Sequence, residues 1–376
     1  TATAAPDASS SILDAAFDKA LSGLEALKDQ IAEAEEALPE ASSQWAQETL
    51  QKLADPNNRA FMESVKAACH APPSETSAFV RVIQNSDDIH AALDALPPGG
   101  ILHIKATRLE LTETLELRKR AHIVGAPGST LSRAMSMDDE DDTIAFWSKD
   151  GGSLSDLSVI GSVCVLKGEP LITGCELKKD RGYDAALVVS SDEANPRVTE
   201  CRITRDARSA ELACGIRLGD SAQGVFQGNT IYGTCNGVMV QEGCAGTFKE
   251  NDMYANEIGM FIEAHSCTLV EGNQIHDNDK HGVYIAEEEG EGQSGALIVS
   301  DPAEVRSNHI YGNGQAGLFI KNCVEAEHNT IERNKVGIFI KEGQPDVRGN
   351  TVRHNAQSGV YLGGSDIVRD EDTGAT

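Results

Sequence analysis

Six copies of one short pattern fill the C-terminal part of the chain, starting at Asn229, Asn251, Asn273, Asn308, Asn329 and Asn350. Each reads Asn-x-Ile (Met or Val in two copies), then a second Asn or a substitute, then Gly and three apolar residues. The steps between copies are 22, 22, 35, 21 and 21 residues. A unit this short cannot enclose a core alone, so a period near 21 requires stacked coils that bury their apolar faces against one another. Three strands of three to five residues with their turns fill one such coil, and successive coils pair in parallel at ~4.8 Å. Weaker early coils run through Leu157, Leu177 and Ile203, giving about ten coils in all.

Both Asn rows suit the interior of such a stack. The second row is Asn256, Asn278, Asn313, Asn334 and Asn355. An amide carries donors and an acceptor, so it can hydrogen-bond from coil to coil while tolerating tight turns. The Gly row (Gly237, Gly259, Gly282, Gly317, Gly337, Gly359) is expected to supply backbone freedom at the turn into a strand.

Bulk charge restricts partners. Of 376 residues, 32 are Lys or Arg and 59 are Asp or Glu, a net charge of −27. That excludes nucleic acid as a natural partner and disfavours a polyanion unless a local basic patch intervenes. No apolar run reaches the ~18 residues of a membrane span, so no membrane insertion is expected. Nine cysteines without Cys-x-x-Cys spacing are expected as small core or turn residues, which favours a reducing compartment. Cys175 and Cys201 take the slot that Asn fills later, and Cys244, Cys267 and Cys323 precede a repeat Asn by six or seven residues. The first residue is Thr1, consistent with a removed targeting segment or a fragment, so the compartment stays open.

Ahead of the repeats, residues 1–76 read as a helical domain. A heptad seam of Leu13, Phe17, Ala20, Leu24, Leu27, Ile31, Ala34 and Leu38 defines a helix over 11–38, ended by Pro39, with two shorter helices after it. Residues 77–127 change to short strands around a helix at Ile89–Leu96, capped at Ser86-Asp87-Asp88. Residues 128–368 carry the solenoid and 369–376 an acidic tail. The acidic runs Asp138–Asp142 and Glu287–Gly295 read as solvated loops, the second an insertion within the 35-residue step.

The run ALDALPPGGILHIKATRLELTETLELRKRAHIVGAPG resembles the entry segment of right-handed parallel β-helix proteins of the pectin-lyase-like superfamily. The Asn-x-Ile…Asn…Gly-Val/Ile repeats are similar to a broad subgroup of it. That subgroup includes the β-helix domain of an F-box ubiquitin-ligase subunit, the β-helix region of the Shc SH2-domain-binding protein, periplasmic copper-delivery proteins and polyuronate epimerases. The resemblance covers roughly residues 78–368. It implies an all-β right-handed parallel β-helix behind the N-terminal helices and, because these relatives differ in activity, no single function. The polygalacturonase sets Asn-Thr-Asp, Gly-His-Gly and Arg-Ile-Lys are absent, as are the Asp-Pro-His-Asp of alginate epimerases and the Arg-x-Pro-x-x-Arg of pectate lyases. Neither an F-box nor a Met/His/Cys cluster for copper is found.

Strand alternation isolates one further row. Between the inward residues after each Gly stand Met239, Phe261, Tyr284, Phe319, Phe339 and Tyr361, all directed outward. Six large apolar rungs make a stripe ~24 Å long, of a size that marks an interface. Three covers fit it: the chain's own N-terminal helices, a protein partner, or a glycan stacking on the rings. A second outer row is Tyr232, Tyr254, His276, Tyr311, Glu332 and Arg353. Asp252, Glu263, His265, His276, Asp277, Lys280 and His281 are the nearest approach to an acid–base cluster, with His276, Lys280 and His281 the catalytic candidates. Register puts Asp252 and Glu263 on different strands of one coil, so the cluster is expected to disperse over separate faces. The leading expectation is therefore a non-catalytic structural or protein-interaction module. The alternative is a polysaccharide lyase or epimerase acting on acidic glycans, and a second alternative is a glycan-binding module. No metal or cofactor is called for, except calcium under the polysaccharide-active alternative.

Overall fold

The chain divides into two compact units, Thr1–Ser77 and Ala78–Thr376. The computed structural model describes residues 80–84, 88–134, 142–180, 184–205, 213–286 and 302–363, all within the second unit. The expected heptad seam (Leu13, Phe17, Leu24, Leu27, Ile31, Leu38), the insertion at 287–295 and the acidic tail lie outside the described residues.

Among the described residues, short strands form three parallel sheets of 12, 11 and 11 members. The chain visits them in a fixed rotation. Gln223–Gln227 lies in the first sheet (A), Thr230–Tyr232 in the second (B) and Asn236–Val240 in the third (C). The next coil lays each strand against its counterpart, for example Ile231 against Met253 and Val238 against Met260. This is the right-handed parallel β-helix expected, with eleven rungs in sheets B and C. The insertion is accommodated without loss of register, because Tyr284 still pairs with Phe319.

One cap closes the N-terminal end. Helix α1 (Ile89–Ala95) begins at Asp88, whose carboxylate accepts the Ala91 N–H at 3.1 Å. Its face of Ile89 and Leu93, with Leu96 just beyond, packs into the solenoid core. Within the core, alternate strand residues stack in columns, including Phe226 on Phe248 with centroids 4.6 Å apart.

The Asn rows form two continuous buried ladders. Asn251 donates from Nδ2 to the Phe226 carbonyl and to Asn273 Oδ1, both at 2.9 Å, while its backbone N–H also reaches Asn273 Oδ1. Asn256 repeats this with Ile231 and Asn278. Cys201 extends the first ladder downward, its N–H bonding Asn229 Oδ1 at 2.9 Å. The residue before each of these Asn is left-handed, such as Glu250 (φ 53°), Ala255 (φ 53°) and Asp277 (φ 49°). The corner of the coil is thus bent one residue ahead of the amide that secures it.

The Gly row serves another purpose than the expected one. None of its members has a positive φ. Glycine is required there because a Cβ on Gly259 would stand 2.6 Å from both the Gly282 carbonyl oxygen and Ile275 Cγ2. Close approach of consecutive coils, not turn geometry, selects it. The cysteines divide as expected between core and connections: Cys164, Cys175, Cys201, Cys214 and Cys244 are buried, whereas Cys267 and Cys323 are exposed between strands.

Candidate functional site on the outer faces

Three outer faces result, and each has its own chemistry. On sheet A, charges alternate up the stack. Lys249 and Arg306 flank Glu271 at 2.9 and 3.0 Å, and Arg348 pairs with Glu327. Exposed pairs of this kind contribute about 0–1 kcal/mol each and describe a solvated surface.

On sheet C, the expected stripe exists as a ring ladder. Phe261, Tyr284, Phe319 and Phe339 stack at centroid separations of 5.1, 4.9 and 4.8 Å with planes within 14° of parallel, and Tyr361 follows at 4.9 Å. From Tyr284 to Phe339 both faces of each ring are therefore occupied by its neighbours. The surface receives ring edges, whereas sugar stacking requires a free face.

Sheet B concentrates the polar chemistry. Tyr232, Tyr254, His276 and Tyr311 stack at 5.4, 5.4 and 4.6 Å. His276 is held at both nitrogens, Nε2 to Asp252 at 2.9 Å and Nδ1 to Asp277 at 2.8 Å. Burial, followed by the charges of Asp252 and Asp277, raises the Tyr311 pKa, so its phenol keeps its proton.

Cations flank this centre. Towards the N-terminus, Arg202 reaches the Tyr232 hydroxyl at 3.4 Å, and Arg205 donates to the Gly233 carbonyl at 2.6 Å. On the other side, the Arg333 guanidinium lies over the Tyr311 ring at 5.1 Å. Glu332 there accepts from Arg353 at 2.7 Å, Arg333 at 3.0 Å and His309 at 3.2 Å. The Arg353 hydrogen bond is the main cause holding the Glu332 carboxyl below its usual range.

The remaining sequence candidates separate. Lys280 pairs with Glu257, and Glu263 accepts the Glu242 N–H at 3.0 Å. His281 is buried against Tyr284 and Phe319, where its Nδ1 accepts the Ala316 N–H. Burial, reinforced by Lys280, lowers the His281 pKa to about 4, so its ring is neutral and committed to packing. The expected dispersal thus holds for Glu263, Lys280 and His281 but fails for Asp252, His276 and Asp277. Asp252 pairs with Gln274 in register, which puts it diagonally next to His276 one coil on. That 24-residue offset was available in the sequence.

A further acid differs from expectation. Asp142, at the end of the acidic run, is not simply solvated. Burial raises its pKa to about 6 against the opposing charge of Lys179 and a hydrogen bond with Cys164. Its backbone carbonyl accepts from Thr114 at 2.7 Å and from Arg133 at 3.2 Å. Beside it, Arg217 clamps Asp184 through two bonds of 2.7 and 2.9 Å.

A family model described as the right-handed β-helix region matches residues 153–291 and 287–371. No curated protein matches the sequence. Among solved structures, the A-module of a mannuronan C-5 epimerase from Azotobacter vinelandii superposes with a TM-score of 0.56 at 16% identity, covering 73% of this chain and 89% of that one. The Dettilon tailspike protein superposes with a TM-score of 0.52 at 11% identity, covering 75% and 68%. Likeness at such identities concerns the fold alone.

Proposed function

This chain belongs to the right-handed β-helix family, and on that premise we propose that it acts on an acidic polysaccharide lying along the outer face of sheet B. The observation that carries this is His276, oriented by Asp252 and Asp277 between the rings of Tyr254 and Tyr311. Removal of a proton α to a uronate carboxylate opens both β-elimination and C5 epimerisation. It needs a base of suitable pKa, a proton donor and a cation to neutralise the carboxylate. His276 is the base in its neutral form: Nε2–H stays on Asp252, and the Nδ1 lone pair, once turned from Asp277, the more exposed of its two carboxylates at 66%, takes the substrate proton. The protonated Tyr311 phenol is the donor, and Asp252 fixes the imidazole. Arg202 and Arg205 at one end, with Arg333 and Arg353 around Glu332 at the other, place cations along this face of a chain whose net charge is −27.

The Azotobacter neighbour is by name a mannuronan epimerase, which makes polymannuronate the first substrate to try. The full chain is incubated with uronate polysaccharides and with neutral glucans. Unsaturated ends are followed by absorbance and C5 inversion by NMR. Turnover of a uronate polymer, abolished in His276→Ala and retained in the sheet A control Glu271→Gln, is expected. Absence of both turnover and binding across the panel ends this reading.

The sheet C ladder supports a second reading, an interaction module that presents ring edges to a protein partner. Here Phe319→Asp or Phe339→Asp abolishes an assembly seen by gel filtration and native pull-down, while His276→Ala leaves it intact. Variants that behave like the parent chain in both assays remove this reading.

A further inference from the structure

The two ends of the solenoid are finished differently. At the N-terminal end α1 seals the core, leaving Ile89, Leu93 and Leu96 at most 4% exposed. At the other end, among the described residues, the last coil is open. Val360 and Leu362 occupy the inward column, in register with Ile338 and Ile340, yet are 49% and 44% exposed. Val347 and Val352, in register with the fully buried Ala326 and Ile331, are only partly covered. All three sheets end here. The strands Asp346–Arg348, Thr351–Arg353 and Ser358–Leu362 each pair on one side only among the described residues. Open edges over exposed core side chains form a ready template for another chain, and solenoids ordinarily cover theirs.

We infer that a second copy of this chain covers the open end, joined to the same end of the first about a two-fold axis. Three observations select that occupant. The opposite end is sealed by α1, so two copies can join end to end only through their open ends, and a two-fold closes the pair. The edge strand Asp346-Val347-Arg348 is complementary to itself when antiparallel. A two-fold through Val347 sets Asp346 of each copy opposite Arg348 of the other, with the valines facing. Residues 364–376 bring only Ile367 and Val368 as large apolar side chains, among Asp366, Arg369, Asp370, Glu371 and Asp372. That is a poor match for four exposed or half-covered aliphatic positions.

Sedimentation velocity of the full chain over a wide concentration range is expected to give a mass about twice 40.0 kDa. Val360→Asp combined with Leu362→Asp returns it to one chain mass, with the far-UV circular dichroism unchanged. The register is tested by charge. Asp346→Arg alone and Arg348→Asp alone each set like charges opposite one another and dissociate. Mixing the two variants makes both cross-pairs attractive again and restores the doubled mass. A full chain at one chain mass at every concentration overturns the inference. So does a chain ending at Gly363 that dimerises when the full chain does not, since the tail is then the cover. Single charge variants that stay dimeric overturn the proposed pairing.

Discussion

Asn251 and Tyr254 are three residues apart, and both begin contacts that climb the solenoid coil by coil. The amide points inward and passes hydrogen bonds to Asn273 at 2.9 Å; the ring points outward and stacks on His276 at 5.4 Å. The inner ladder tolerates almost no variety, since each amide must accept from the rung below and donate to the rung above in a place without water. Only groups that still offer a backbone N–H or a hydroxyl, such as Cys201 and Thr234, stand in at its lower end. The outer ladders accept Met, Phe, Tyr and His in turn, because stacking needs only a polarisable surface at the right spacing. Equal periodicity therefore does not mean equal role. The uniform row is the one that holds the fold, and the varied rows are where chemistry has room to differ.

The comparison breaks most easily at the buried ladder. Asn273→Ala deprives the Asn251 N–H and one Asn251 Nδ2 N–H of their acceptor and the Phe248 carbonyl of its Nδ2 donor, while Asn308 Oδ1 keeps the backbone N–H of residue 273. At roughly 1–3 kcal/mol for each buried group left unpaired, a loss of at least about 3 kcal/mol is expected in urea unfolding. A loss below about 1 kcal/mol would mean that water or relaxation replaces the ladder. Phe319→Ala removes the stacking contacts with Tyr284 and Phe339 and the tilted contact with His281, about 0.5–1.5 kcal/mol each beyond the half-buried area it gives up. A destabilisation of about 2–4 kcal/mol is expected in the same assay.

Proton linkage separates buried from solvated positions in another way. His281 and His122 are both lowered to about 4, first by burial and then by neighbouring Lys280 and Arg120. Between pH 4 and the ordinary histidine value the unfolded chain binds the extra protons. Their contribution is thus full above about 6.5 and is lost as the pH falls towards 4. Asp142 acts with the opposite sign. With its pKa raised to about 6, the folded state holds the extra proton, so this contribution is present below about 4 and is lost as the pH rises through 6. Stability-versus-pH curves should accordingly be flatter for His281→Gln below pH 6.5, and Asp142→Asn should gain most relative to the parent chain above pH 6. Unchanged slopes would mean that these groups are hydrated in solution.

The smaller effects sharpen the contrast. His276→Phe keeps the outer stack and is expected to shift stability by less than about 1 kcal/mol while abolishing the proposed turnover, so that fold and chemistry separate at one rung. Ala255 holds φ 53°, and Ala255→Gly relieves a left-handed strain of about 1–2 kcal/mol against a chain-entropy cost of about 0.5–1. A gain of about 0.5 kcal/mol in thermal or urea unfolding is the expected result.

Most of the architecture was legible from spacing. The Asn and Gly rows marked the coils, and strand alternation correctly assigned Val283 and Ile285 inward and Tyr284 outward. The Gly row was found for the wrong reason, since its cause is the carbonyl of the next coil rather than the residue's own dihedrals. The His276 centre was only half visible. The residues were identified, but judging them by strand membership overlooked that Asp252 and His276 meet across coils through a two-residue diagonal. Asp142 could not be recognised in a run of acids, because its desolvation depends on Cys164, Lys179 and Asp184, which arrive from later coils.

The sequence by itself determined a solenoid of stacked coils, its period and the facing of the strand after each repeat Gly, because these follow from local alternation and from the repetition of one hydrogen-bonding unit; its right hand was implied by the family resemblance. Tertiary structure alone decided which outer residues share a site. It also decided that the rings on sheet C show edges rather than faces, and that the core is sealed at one end and open at the other. Those outcomes rest on distances between side chains on neighbouring coils, 21 to 35 residues apart in the chain but about 5 Å apart in space, and no local pattern encodes them.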